Sequence, residues 1–218
     1  MVQIVILAGV ALFLVLQLRK VLGTRDGYEP PKDLSAPVET GSRKNPRDFE
    51  VIDGGGVDYD IADQIDVDSP SGMALAAMKR ADPSFNVTEF IGGARGAYEM
   101  ILMAFESGEI AEVRDFLSND VYESFAQAVA IREESGLHID ATFVGIREVK
   151  LREADFDPDT SEGSVTIAFA GELTSVVKNA EGNIVEGDPN EIKKQRDVWT
   201  FARKMGSDDP NWSLVATE

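Results

Sequence analysis

Apolar positions dominate the start of the chain: Met1 to Leu18 reads MVQIVILAGVALFLVLQL without one charged side chain, and Arg19 and Lys20 follow at once. As a helix rising ~1.5 Å per residue this run would extend roughly 27 Å, near the short end of what crosses a bilayer core. A secretory signal would carry its positive charge before the apolar run and small residues at a cleavage site after it. Here the order is reversed. The pattern predicts an uncleaved transmembrane anchor over 1–22, with Arg19, Lys20 and Arg25 holding the following bulk on the cytoplasmic side. A buried core helix is the alternative, but the polar, turn-rich stretch behind it offers nothing to bury it.

From 23 to 72 neither a helical nor a strand period survives. Pro30-Pro31, Pro37, Pro46, Gly54-Gly55-Gly56 and Pro70 punctuate it, and eight acids with no base fall between Asp48 and Asp68. Such a segment repels itself and reads as an extended acidic linker. It is either a plain spacer or, because Ile52, Val57, Tyr59, Ile61, Ile65 and Val67 interleave the acids, a strip that folds onto a basic groove.

A domain is expected over 73–218, helices first. Met73 to Arg80 reads as a short helix. Asn86-Val87-Thr88-Glu89 carries capping chemistry, and Val87, Phe90, Ile91, Ala94, Tyr98, Ile101, Leu102 and Phe105 form one apolar face on a helix running to about Glu106. Gly92, Gly93 and Gly96 within it predict close approach by another backbone, since each costs a helix about 1 kcal/mol against alanine. The pattern resumes over Glu109 to Leu117. A further helix, capped by Asn119 or Asp120, runs to Ser135 and stops at Gly136. Beyond it the period falls to two: Ile139-Ala141-Phe143, Val165-Ile167-Phe169, Trp199-Phe201 and Trp212-Leu214-Ala216 predict four strands. Gly145 and Gly171 interrupt them where a bulge or bend would sit. Asp155 to Gly163, Asn179 to Asn190 and Gly206 to Asn211 read as turns. The class is α+β, with helices packed on a curved antiparallel sheet.

Composition narrows the chemistry. A net charge of −18 repels phosphate backbones, which disfavours nucleic acid. There is no cysteine and one histidine, His138, so thiolate sites, disulfides and histidine-pair metal sites are excluded. His138, in Leu137-His138-Ile139, reads as an ordinary partly exposed residue. Asp155-x-Asp157-x-Asp159 approaches a calcium loop but has Thr160 where the turn glycine belongs and Thr166 where the bidentate glutamate belongs. No metal and no cofactor is expected.

The stretch from Asp82-Pro83-x-Phe85 through Phe90, Ala94, Ala97-Tyr98, Ile101, Ala104-Phe105, Gly108 and Arg132-Glu133, with the later Asp197-x-Trp199-Thr200-Phe201 and Asp209-Pro210-Asn211-Trp212, resembles the Tim-forty-four-like family. That family includes a mitochondrial import-motor scaffold and alphaproteobacterial adaptor-like proteins called TimA. The resemblance covers roughly 82–217. It implies a cystatin-like or nuclear-transport-factor-two-like cone, and a membrane-associated scaffold at the inner membrane. The mitochondrial member's long motor-binding segment has no counterpart here; an anchor and an acidic linker stand in its place. Lys79, Arg80 and Arg95 are the candidates for a local positive patch on the domain.

These readings lead to a membrane-anchored, non-enzymatic adaptor at the cytoplasmic face of a bacterial inner membrane, serving membrane-protein biogenesis or the assembly of a membrane complex. Its membrane contact is 1–18. Its protein partners fall among translocation or insertion machinery, a chaperone, or a respiratory complex. Accessory subunit of a stable membrane complex is one alternative, with Gly9 between Ala8 and Ala11 as the helix contact. A lipid-binding or small-ligand cone, or an enzyme built on one, is another. Phe90, Ala94, Tyr98, Phe143, Trp199, Phe201 and Trp212 are its candidate pocket lining, or simply core. No catalytic residue is assigned. Tyr98, Asp140, Glu172 and Asp197 are the groups that such chemistry would draw on, with Asp197 expected to be a structural acid.

Overall fold

A computed structural model describes residues 58–218. The anchor over 1–22 and most of the linker lie outside the described residues, and no helix among the described residues is long and apolar enough to cross a membrane. The order is α1 (Tyr59–Ala62), α2 (Pro70–Ala81), α3 (Val87–Ser107), a 3-10 helix (Ile110–Phe116), α4 (Asn119–Glu134), then β1 (His138–Asp157), β2 (Glu162–Lys178), β3 (Ile184–Glu186), β4 (Lys193–Lys204) and β5 (Ser213–Thr217). Helices precede strands, and the helices pack on one antiparallel sheet of order β1-β2-β4-β5, with β3 paired to β2.

Local chemistry sets the helix ends. The Ser69 side chain accepts from the Gly72 amide, with Pro70 at the first helical position of α2. Asn86 Oδ1 accepts from the Glu89 amide at 2.8 Å to start α3, and Gly108, at φ 87°, ends it. Helix α4 is capped by Ser118, one residue before the two expected caps. The stretch after Gly108 forms a 3-10 helix because only Ile110 and Val113 need to reach the core.

The buried face of α3 follows its predicted period at Val87, Phe90, Ala94, Tyr98, Ile101 and Leu102, with Ala104 added and the expected Ile91 and Phe105 only half-buried. It lies on the sheet face formed by Val165, Ile167 and Phe169 of β2 and Trp199 and Phe201 of β4, all buried. Burying each of these large side chains contributes about 1.5 to 3 kcal/mol. The register pairs Val165 with Phe201 and Ile167 with Trp199, so both strands present their apolar sides together.

Several expectations are corrected. Residues 58–72 are not spacer. Ile61 is buried in the core cluster and Asp60 accepts from the Val87 and Thr88 amides, so this stretch is packed on the domain; within it, a side chain at Gly72 would stand 2.3 Å from the Asp66 carbonyl oxygen. Its acids mislead because one of them, Asp60, caps a helix rather than facing water. Gly92, Gly93 and Gly96 are exposed and nothing approaches within 4 Å of a side chain built there, so no backbone of the domain packs on them. Gly145 does sit at a register shift, one of three that break the pairing of β1 with β2. Gly171, by contrast, pairs in continuous register with β4, and its missing side chain makes room for Tyr98. The turn-rich 179–190 contains the short β3. Strand β1 extends to Asp157, far past Phe143.

Candidate functional site

The asymmetry of α3 creates the site. Its first turns stand on Phe201 of β4 and on Trp212 just before β5, whereas at its middle Tyr98 stands on rings and also finds a polar partner in Asp197. At the first end Phe90 meets Trp212 at 4.5 Å between ring centroids and Phe201 at 6.1 Å, and Phe85 closes on Trp212 at 5.6 Å. Large rings in tilted and edge-on arrangements do not tile a surface. They leave an open pocket of about 310 Å³, walled by Phe85, Phe90, Phe116, Phe201 and Trp212, with Gly93, Ala94 and Ala97 along its helical side.

Arg203 and Asp82 hold the rear of this pocket. Arg203 Nη2 donates to Asp82 Oδ2, and its Nη1 donates to the Pro210 carbonyl at 3.2 Å. The guanidinium lies 5.3 Å over the Trp212 ring. Ser84 gives Asp82 a hydroxyl at 2.6 Å and an amide at 3.0 Å. The Ser84 hydroxyl, against the cost of burial and with help from the Gly206 and Ser84 amides and Arg203, holds the Asp82 carboxyl below the usual aspartate value. The pair thus stays ionised and pins the 206–212 loop, and Trp212 with it, against α3.

Asp60 fixes the other wall. Its carboxylate accepts from the amides of Val87 at 2.8 Å and Thr88 at 2.9 Å, from the Thr88 hydroxyl at 2.8 Å and from Lys79 Nζ at 3.0 Å. Lys79 also pairs with Asp58 at 2.7 Å, so its charge serves an internal contact. Burial alone would raise the Asp60 pKa. The two amides, Lys79 and the Thr88 hydroxyl together outweigh it and bring the value to about 2. A carboxylate on the positive end of α3 orders the turn from which Asn86, Glu89 and Phe90 face the pocket.

The seven candidate lining residues divide. Phe90, Ala94, Phe201 and Trp212 line the pocket. Tyr98, Trp199 and Phe143 belong to the adjoining interior: Tyr98 stacks on Phe169 at 4.4 Å and lies 4.8 Å from Trp199 and 6.3 Å from Phe143. Tyr98 donates its hydroxyl to Asp197 Oδ2 at 2.6 Å, and Gln195 Nε2 donates to Asp197 Oδ1 at 3.1 Å. Burial first, then the adjacent carboxylate, pushes the phenol far above its ordinary pKa, so Tyr98 remains a donor. Glu172, also buried, pairs with Arg147 at 2.7 Å, and exposed Asp140 pairs with Lys178. Asp157 accepts from the Asp159 amide at 2.9 Å and the Thr160 hydroxyl at 2.9 Å, closing the hairpin turn that resembled a calcium loop. Among the described residues no group of acids or histidine is arranged to hold a metal ion.

Sequence reasoning missed Phe116 and Arg203 as pocket residues. Arg203 sits two positions after Phe201 on β4, and that period-two spacing was the available signal.

A family profile described as "Tim44-like domain" matches residues 71–218. The mitochondrial import inner membrane translocase subunit TIM44 of Homo sapiens is 27% identical over 145 residues, which cover 65% of this chain and 31% of that protein. The Rattus norvegicus subunit of the same name is 26% identical over the same shares. The chain thus spans about a third of the length of these relatives. Among solved structures, the intermembrane space region of the chloroplast protein ARC6 aligns with a TM-score of 0.39 at 13% identity, over 60% of this chain and 92% of that one. From α2 to the last residue, this chain belongs to the Tim44-like domain family.

Proposed function

We propose that the chain is a non-enzymatic adaptor that holds protein partners at a membrane, within machinery for protein translocation or membrane-protein biogenesis. One observation carries this reading: an open aromatic pocket whose adjoining buried acid, Asp82, is committed to fixed donors, Arg203 and Ser84. Away from the pocket, half-buried Asp197 is held by Tyr98 and Gln195, and buried Glu172 by Arg147. General acid or base work wants a desolvated group within reach of a substrate proton. Glu89, the acid lining the pocket, is exposed on α3. Such a surface suits recognition more than turnover.

The family assignment supports the same reading, since the relatives carry the name of an inner-membrane translocase subunit. The apolar run 1–18 supplies a membrane contact, with the domain on the cytoplasmic side of a bacterial inner membrane. Tagged full-length protein extracted in mild detergent should retrieve a defined membrane complex that a chain lacking 1–22 loses. Recovery of no stable partner from either would sink the proposal.

The pocket volume favours a second reading, a bound lipid or small ligand. Native mass spectrometry of the purified chain decides it: a retained adduct lost on Trp212→Ala supports the ligand, and a bare mass opposes it. Crosslinking from positions 5 to 15 separates an adaptor from a permanent subunit, for which one defined neighbour should be captured.

A further inference from the structure

The helices cover one face of the sheet. The other face carries Ser164, Thr166, Ala168 and Ala170 of β2 beside Val198, Thr200 and Ala202 of β4, all half-buried, and the Thr166 and Thr200 hydroxyls bond across the strands at 2.9 Å. Short side chains in adjacent rows make a surface on which a second sheet can lie close.

Charge decides what that second sheet is. Residues 1–57 hold as many bases as acids, so the entire net charge of −18 belongs to 58–218. Most of the bases of that segment lie on strands: Arg147, Lys150 and Arg152 on β1, Lys178 on β2, and Lys193, Lys194, Arg196, Arg203 and Lys204 on β4. On the open face β4 carries the bases Arg196 and Lys204, whereas β1 carries Glu148, Glu153, Asp155 and Asp157 with one base, Lys150. The row through Ala170 has Glu148 of β1 on one side and Arg196 of β4 on the other. The row through Glu162 has Asp157 on the β1 side and Lys204 on the β4 side. A two-fold axis parallel to β2 and above this face sets β1 of one copy over β4 of the other without changing position along the strands. Glu148 then faces Arg196 of the partner subunit, and Asp157 faces Lys204 of the partner subunit, each contact occurring twice.

We infer that the sheet face that no described helix covers is a self-association surface, on which two copies of this chain pack face to face as a two-fold dimer. The rest of the domain surface is dominated by acids and repels a copy of itself; on this face a two-fold sets the acid-rich β1 of one copy over the Arg196 and Lys204 of the other. The small central residues allow sheets about 10 Å apart, a gap that Glu and Arg side chains span together. This inference goes beyond the adaptor reading, because it concerns a surface on the opposite side of the sheet from the pocket.

The test uses the full chain in detergent, its protein mass resolved from the micelle by light scattering against the 23.7 kDa of one copy. A mass of two copies is expected. Thr166→Arg, half-buried at the centre of the face, should give one copy with an unchanged circular dichroism spectrum. Arg196→Glu should weaken the dimer at least tenfold, and Arg196→Glu combined with Glu148→Arg should restore it. A single-copy mass for the parent chain at all concentrations overturns the inference. So does a dimer indifferent to Thr166→Arg and Arg196→Glu, which would place the contact in the apolar run. Loss of the dimer with partner retrieval intact leaves the adaptor reading standing, so the two fail separately.

Discussion

The two ends of the stretch of α3 from Phe90 to Tyr98 solve the same packing problem in opposite ways. At its first turns, rings meet rings and leave a pocket between Phe90, Phe201 and Trp212. Eight residues on, Tyr98 is fully buried; its ring is stacked on Phe169 and its hydroxyl is bound to Asp197. A buried hydroxyl must find an acceptor, and the half-buried Asp197 carboxylate is the one it has, so the second region tolerates no slack. Aromatic rings carry no such demand, so the first region can stay open. Openness in this domain thus follows from which side chains lack a directional partner.

The most severe way to break the closed end is Gly171→Ala. Its Cβ would stand 2.8 Å from the Tyr98 hydroxyl oxygen, displacing the phenol from Asp197. We expect a loss of about 3 kcal/mol in chemical denaturation, from overpacking and a broken buried bond together. A loss below ~1 kcal/mol would show that α3 slides and that the two ends are not distinct.

Next is the frame of the open end. Asp60→Ala removes the acceptor of the Val87 and Thr88 amides and should cost about 2 kcal/mol. The pH dependence has a fixed sign. The folded pKa of about 2 lies below the ordinary aspartate value of 3.8, so the unfolded chain binds the extra proton in between. The carboxylate's contribution is complete above 3.8 and drains away toward 2, so parent and Asp60→Asn should converge in stability as the pH falls through that window. A constant gap would mean that the carboxylate charge is not what caps α3.

Tyr98→Phe sharpens the contrast with less disturbance. Removing the hydroxyl alone leaves Asp197 with Gln195 and should cost about 1.5 kcal/mol. A near-zero effect would make the closed end a matter of shape rather than of the hydrogen bond. The smallest effect has the opposite sign. Gly92→Ala and Gly96→Ala meet open space and should each stabilise the fold by about 0.7 kcal/mol. If either destabilises, some contact on that helix face has been overlooked.

How much of this was readable in the sequence differs by element. The buried faces of α3, β2 and β4 were, because their periods are uninterrupted and their inward positions are large and apolar. The middle of β1 was not: it forms the end of the sheet order, three register shifts break its alternation, and Arg147 to Asp155 is largely charged. Residues 58–69 were misread because an aspartate that caps a distant helix looks, in one dimension, like one that faces water. The candidate site was half legible for a related reason. Period two identified the aromatic residues of β4 and Trp212 just before β5, but not which of them the helix would leave a gap beside.

The Asp60 clasp also has a mechanical consequence. Tension arriving along the chain from before residue 58 would reach the four bonds of Asp60 and the seat of Ile61 before it reached any strand pairing. If residues 58–69 peeled away, they would release about 40 Å of chain at ~3.4 Å per residue while every strand stayed paired. This makes the segment a sacrificial link that yields first and spares the sheet.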